Sequence, residues 1–329
     1  MKLTRRNFIK FAGIAGLVGF VGNFTGCSNN AANTRNVAEA DRLPLPEKAT
    51  VYFSENIDAE HLIALYRKIN YEITGKVGIK LHTGEPNGPN IIPPEMVKPF
   101  QAQIPNSAII ETNTLYGGAR STTERHRKTI KTNGWTFCPV DILDEDGDVN
   151  LPVSKGFHLK EVAMGSHLTD YNSLVVLTHF KGHAMGGFGG SLKNIAIGCA
   201  SGKIGKAQIH GEDWSTGETF LERMADSGKA ICDYFGKKIV YINVLHRLSV
   251  DCDCAGAGAA APEMPDLGIL ASTDILAIDK ASIDMIYNFP DDRKNYLITR
   301  IESLSGRRQL SAMEEHQMGT PNYELISID

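Results

Sequence analysis

The sequence predicts an α/β fold, a mixed or mostly parallel sheet covered by helices in a single compact domain of one or two lobes. Three observations point there. Short apolar runs recur along the chain and alternate with segments of helical periodicity, the pattern that builds a sheet with helices on both faces. The run at residues 174–177 is continuously apolar, as in a strand buried on two sides. Polar residues collect where such runs end, which is where open α/β sheets bind their ligands.

The elements follow in order. Residues 59–70 (AEHLIALYRKIN) place Leu62, Leu65, Tyr66 and Ile69 at helical spacing. Residues 76–82 (KVGIKLH) alternate, with Val77, Ile79 and Leu81 facing one way and Lys80 and His82 the other. Residues 107–113 (SAIIETN) read as a strand ending in Glu111 and Asn113, and the charged segment 121–133 as a helix leading to a strand near 136–140. The strand at 174–177 delivers His179, Lys181 and His183. A loop with Gly186, Gly187, Gly189 and Gly190 follows, and Lys193 and Asn194 open the next apolar segment. Residues 237–246 (KKIVYINVLH) form a long β-rich run that brings His246 to the loop of Cys252 and Cys254. A last short strand covers 267–270, and Ser272-Thr273-Asp274 reads as a helix N-cap before ILAIDKASIDMIYNF.

The amino terminus speaks to location. Residues 4–10 (TRRNFIK) match the twin-arginine export pattern, and residues 11–24 form an apolar, glycine-rich stretch too short for a membrane span of about 20 residues. Phe24-Thr25-Gly26-Cys27 resembles a lipobox with Cys27 as the lipidated residue, although Phe24 stands where leucine is usual. The expected division is a signal peptide over 1–26, a flexible tether over 27–48 and an α/β domain over 49–329. The expected location is the periplasmic or cell-surface side, with the protein anchored to the membrane through Cys27. Removing residues 1–26 leaves 30 basic and 38 acidic residues, a net charge of −8, without the basic footprint of a nucleic-acid binder.

Candidate chemistry lies at the strand ends. If the strands are parallel neighbours, Lys80 and His82, Glu111 and Asn113, His179 with Lys181 and His183, Asn243 with His246, and Asp274 share one rim. His179 and His183, four residues apart beside a glycine loop, suit a metal or an anion, against the plainer reading of hydrogen-bonded structural histidines. Lys181 and Lys193 could balance a carboxylate or phosphate, or stand as solvated lysines. The glycines, with Lys193 and Asn194, suit a close backbone approach to a cofactor or a nest of N–H groups.

Apart from Cys27 there are five cysteines, an odd number that argues against a complete disulfide framework. Cys138 and Cys232 lie in apolar surroundings. Cys252 and Cys254, two apart in a polar loop, either share a metal, act as a redox pair or form an ordinary surface pair. The glycine run is not GxGxxG, and no GxxxxGK[ST], HExxH, GxSxG or CxxCxxCxxxCP occurs.

The segments GIKLHTGEPN, ETNTLYGGARSTTERHRK, HFKGHAMGGFGGSLKNIAIGCAS, YINVLHRLSVDCDC and PDLGILASTDILAIDKASIDMI, taken in order, resemble domain of unknown function family 362. Members are commonly described as uncharacterised iron–sulfur-centre proteins. The resemblance runs from about Val51 to Ile326 and implies an α/β fold, but no settled reaction. Many relatives carry a ferredoxin-like cysteine module between the region of His210 and the YINVL strand. That interval here holds only Cys232, so no four-iron cluster is carried over.

Two functions are expected in competition. The first is an exported metalloprotein with redox-related or metal-assisted chemistry on a small anionic substrate. In it His179, His183, Cys252 and Cys254 hold iron, nickel or zinc; Lys80, Lys181 and Lys193 neutralise the substrate; and His82 or His246 moves protons. The second is a lipid-anchored binding or electron-transfer partner without catalysis of its own.

Overall fold

A computed structural model describes residues 46–329 apart from Asp213 and Ser215. The export pattern, the lipobox at Cys27 and most of the tether lie outside the described residues. In chain order, the first elements are β1 (Ala49–Ser54), α1 (Ala59–Ile69), β2 (Val77–Lys80), α2 (Pro94–Gln101), β3 (Ser107–Glu111), α3 (Thr123–Thr132) and β4 (Val140–Ile142). A hairpin of β5 (Asp148–Pro152) and β6 (Glu161–Gly165) precedes β7 (Ser173–His179). A smaller hairpin, β8 (Lys181–His183) with β9 (Gly187–Gly189), leads into α4 (Ser191–Cys199), α5 (Gly205–His210) and α6 (Glu218–Phe235). The remaining elements are β10 (Ile239–Leu245), β11 (Gly268–Ser272), α7 (Ile275–Tyr287), α8 (Asn295–Ser303), α9 (Arg308–Glu315) and β12 (Tyr323–Ser327).

Eight strands form the main sheet in the order β12-β1-β11-β10-β7-β2-β3-β4. From β10 to β4 every pairing is parallel, whereas β11 is antiparallel to both neighbours. The chain thus forms the expected mixed, mostly parallel sheet. Strand side chains alternate between faces, and here both faces are dry. Leu174 and Val176 of β7 enter one core with Ile110, while Val175 and Leu177 enter the other with Ile79 and Ile109. Helices α1 and α2 close the second core through Leu62, Leu65 and Phe100. Leu192 and Ile195 of α4, Leu221 and Met224 of α6, and Ile278 of α7 close the first. Each of these side chains contributes about 1.5–3 kcal/mol by leaving water.

Two local differences from the expected elements have clear causes. The strand expected near 136–140 begins only at Val140. Trp135 turns inward instead, is buried and donates its indole N–H to the Thr83 carbonyl at 2.9 Å. The 18-residue helix α6, not anticipated, buries Phe220, Leu221, Met224, Ile231 and Phe235. Among the described residues no helix is long and apolar enough to cross a membrane.

Helix α4 starts from a remote cap. The Asp279 carboxylate on α7 accepts from the amides of Ser191 at 2.7 Å and Leu192 at 3.0 Å, and from Asn243 Nδ2 at 2.9 Å. Burial pushes the Asp279 carboxyl up to about 6, against the pull of those donors. Asp279→Ala strands three buried donors and is expected to cost at least about 3 kcal/mol in urea denaturation, with Asp279→Asn intermediate.

Candidate functional site

Because β2, β3, β7 and β10 are parallel neighbours, their carboxyl ends share one rim, and a cavity of about 240 Å³ opens there. Lys80, Arg120, His183, Lys193, Cys252 and Cys254 are among its lining residues. Lys80, the last residue of β2, runs under α4. It donates to Asn194 Oδ1 at 3.0 Å and to the Leu81 carbonyl at 3.2 Å, and lies 3.6 Å from Glu111. Its stem fits because residue 198 is glycine: a Cβ there would sit 2.1 Å from Lys80 Cε. Burial lowers the Lys80 pKa, and Glu111 offsets that only in part.

Glu111 ends β3 and gathers cations. It accepts from Thr83 Oγ1 at 2.7 Å and from Arg120 Nη1 at 3.1 Å. Burial disfavours its charge, yet Arg120 and Lys80 outweigh burial and hold its carboxyl well below the usual range. Arg120 also donates to Glu85 at 2.9 Å and to the Tyr116 hydroxyl at 3.0 Å. Lys80 and Arg120 are therefore matched by Glu111 and Glu85, a buried network that fixes the cavity wall.

The Cys252–Cys254 loop is tied down through its middle residue. Asp253 is buried beneath the cavity, 2.9 Å from His179 Nδ1 and 2.7 Å from Lys181 Nζ. The other His179 nitrogen, Nε2, bonds the His246 carbonyl at 2.6 Å, and Lys181 also donates to the His179 carbonyl at 2.8 Å. Burial raises the Asp253 pKa, but His179 and Lys181 hold it well below the carboxylate range.

With Asp253 turned inward, the two sulfurs reach the cavity, and donor atoms of Cys252, Cys254 and His183 lie within 4.8 Å of one another. Cys252 Sγ is 3.9 Å from His82 Nε2 and 3.9 Å from Lys193 Nζ. A hydrogen bond from Cys254 is the largest influence on the Cys252 thiol; with Lys193 and His82 it outweighs burial and holds the thiol well below its usual range. Cys254 is pushed up correspondingly.

The two cavity histidines are oriented alike. His82 Nδ1 accepts from the Gly84 amide at 3.0 Å, and His183 Nδ1 from the Gly186 amide at 2.9 Å. A ring nitrogen that accepts an amide N–H carries no proton, which leaves Nε2 to carry it in each ring, and burial lowers both pKa values. His82 thus donates an N–H to the Cys252 sulfur.

One wall is aromatic. His210 is sandwiched between Trp214 and Phe220 at centroid distances of 4.7 and 5.0 Å. Burial, with Lys193 and Lys206 nearby, lowers its pKa to about 4. Lys206 donates to Thr112 Oγ1, the Asn113 carbonyl and the Ala200 carbonyl, and burial brings it down to about 7.

The structure corrects several expected roles. His179 is not available as a metal ligand, since both ring nitrogens are bonded away from the cavity. Lys181 is spent on Asp253. His246 points to the surface, 2.5 Å from Asp266, and does not line the cavity. Asp274 lies on the opposite rim because β11 runs in reverse; it caps α7 by accepting from the Ala277 amide at 2.8 Å. Of the glycine run, Gly187 and Gly190 are packed against protein, whereas Gly186 and Gly189 have more room, with the nearest atoms to a Cβ at 3.4 and 3.3 Å. A Cβ on Gly190 would lie 2.5 Å from Asp279 Oδ1, and one on Gly187 2.8 Å from Gly306 Cα. The α4 amides offered as a nest are occupied by Asp279. Asn194 acts by holding Lys80, and Asn113 by bonding Thr123 and His126. Lys80, His82, His183, Lys193, Cys252 and Cys254 do meet in the cavity. Arg120, Tyr116, Lys206 and His210 were not anticipated; they sit in loops or on short helices where no local spacing marks them.

The model of a domain of unknown function, DUF362, matches residues 77–284, and the chain belongs to that family. No curated protein matches it. Among solved structures it is similar to the lactate racemase apoprotein from Thermoanaerobacterium thermosaccharolyticum, at 13% identity and a TM-score of 0.39, over 73% of this chain and 58% of that one. It is also similar to a protein from Thermotoga maritima, at 11% identity and a TM-score of 0.39, over 77% of this chain and 60% of the other. The chain thus spans less than two thirds of either structure.

Asp253→Asn leaves His179 and Lys181 buried beside a neutral partner; urea denaturation should show a loss of about 3–5 kcal/mol. His210 gives a pH signature. Its folded pKa lies below the unfolded value of 6.5, so its contribution is full above that value and lost as pH falls towards 4. His210→Phe keeps the ring stack, and relative to the parent it should gain roughly 3 kcal/mol between pH 7.5 and 4.

Proposed function

We propose that this DUF362 protein binds a transition metal ion through Cys252, Cys254 and His183 and uses it in redox-related or metal-assisted chemistry on a small anionic substrate. The observation that supports this most is the convergence of two thiols and an imidazole within 4.8 Å beside a cavity lined with cations. Mixed sulfur and nitrogen donors suit zinc, iron or nickel. Ligand bonds of about 2.0–2.3 Å require a small closure of the three groups. Cys252 fits directly, since it already favours its thiolate, whereas Cys254 has to release its proton to the incoming ion. His183 fits less simply: the Gly186 amide occupies Nδ1 and a proton occupies Nε2, so one must give way before the ring can ligate.

Bound there, the ion would polarise a substrate oxygen or carry an electron. The chain's own residues do the rest. Lys193 attracts the substrate's negative charge, and Asn194 holds Lys80 against the cavity wall. His82 keeps an N–H directed at the Cys252 sulfur and is placed to give or take a proton. The reading includes export by the twin-arginine route and anchoring through Cys27, supported by the sequence of residues 4–27, with residues 49–329 acting as one domain.

A second reading is favoured by the donors around Cys252. With His82, Lys193 and Cys254 all stabilising its thiolate, the pair could work as a metal-free redox dithiol in a binding or electron-transfer protein.

Elemental analysis of full-length protein purified without oxygen, with an optical spectrum, separates the two. The metal reading expects about one iron, nickel or zinc per chain, reduced at least tenfold in Cys252→Ser/Cys254→Ser. No metal in the parent overturns it. Chelation of the loaded protein should lower Tm, because an ion bound only by the folded state stabilises that state.

A further inference from the structure

We infer that the cavity takes a monoanionic organic acid with a flat, apolar body, in preference to a small inorganic oxyanion. The inference specifies the substrate class of the proposed function, and its charge count rests on that reading.

Charge comes first. Lys80 and Arg120 face Glu111 and Glu85. All three N–H bonds of Lys206 go to oxygens of Thr112, Asn113 and Ala200, and Asp144 lies within its field. Lys193 has no carboxylate partner among the described residues; its polar contact is Cys252 Sγ at 3.9 Å. A divalent ion on two thiolates is neutral as a unit, so Lys193 is left with one positive charge to be met. A single carboxylate meets it. A dianion overshoots in a cavity where stray charge is costly.

The walls decide the rest of the molecule. Beside Lys193 the lining turns apolar, with Leu115, Met185, Ile197, Trp214 and Phe220. A hydrated oxyanion gains nothing from these side chains and has to shed water against them, whereas an apolar body releases water from both surfaces. Shape adds to this. The His210 ring lies within 28° of the Trp214 plane and within 18° of the Phe220 plane, so the three rings form one ordered block. Trp214 and Tyr116, both in the lining, remain 46% and 39% exposed, so aromatic surface is open at the cavity. A cavity of about 240 Å³ has room for about eight waters, which suits a molecule of one ring rather than an extended chain.

The test is isothermal titration of the protein as purified without oxygen, at constant ionic strength, with benzoate, acetate and inorganic phosphate as probes. Benzoate should bind at least tenfold more tightly than acetate or phosphate. Lys193→Met should weaken benzoate and acetate alike, by about tenfold, while Trp214→Ala should weaken benzoate and leave acetate unchanged. Acetate or phosphate binding as tightly as benzoate overturns the inference. So does an equal effect of Trp214→Ala on both acids, or binding of no probe at millimolar concentration. Metal content is measured on the same samples. A metal-free protein that keeps the benzoate preference overturns the metal reading and leaves this inference standing; a metal-loaded protein without the preference overturns this inference alone.

Discussion

The contact on which the site depends is the buried ion pair of Asp253 with Lys181 and His179. It welds the loop after β10 to the end of β7, two neighbouring parallel strands. A charge this deep is costly unless it is closely matched, so the loop has little freedom to shift. What it holds in place is the pair of residues on either side, whose sulfurs would otherwise ride on a polar surface loop. The acid between the cysteines is therefore as much a part of the centre as the cysteines.

The same logic recurs around the cavity. Glu111 is matched by Arg120 and Lys80, and Asp279 by two amides and Asn243. Each buried carboxylate is a fixed post to which a strand end, a helix start or a loop is fastened. The cavity wall is rigid because these posts leave few polar groups free, and Lys193 stands out because no acid among the described residues pairs with it.

Much of the fold was legible in the sequence because it rests on local periodicity. The helix over 59–70 and the strands at 76–82, 107–113, 174–177 and 237–246 sit close to where their apolar patterns place them. The reversed direction of β11 was not legible, since direction is set by the sheet rather than by five residues, and with it went the placement of Asp274. Helix α6 carries its signal in Phe220, Leu221, Met224 and Ile231, which recur at helical spacing. In the site, residues at strand ends were found because β2 and β7 deliver them directly. His179 and His183 look equivalent in sequence, yet only His183 faces the cavity, because the Asp253 carboxylate reaches His179 first. In the glycine run, Gly187 and Gly190 look like ligand-loop residues in sequence, and the approach of Gly306 and of Asp279 to them is set by distant segments that no local pattern reveals.

The remote cap on α4 has a wider consequence. Many anion sites are made of backbone amides at a helix start, and their polarity cannot be changed by substitution. Here Asp279 has sealed the Ser191 and Leu192 amides on the interior side, and the cations that line the cavity are side chains. Among the described residues Lys193 lines the cavity without a carboxylate partner, so the sign of the charge the cavity welcomes turns on that position. Substitution at residue 193 can therefore change the class of molecule admitted, from acids towards neutral or basic compounds, without rebuilding the sheet or the loop that Asp253 holds.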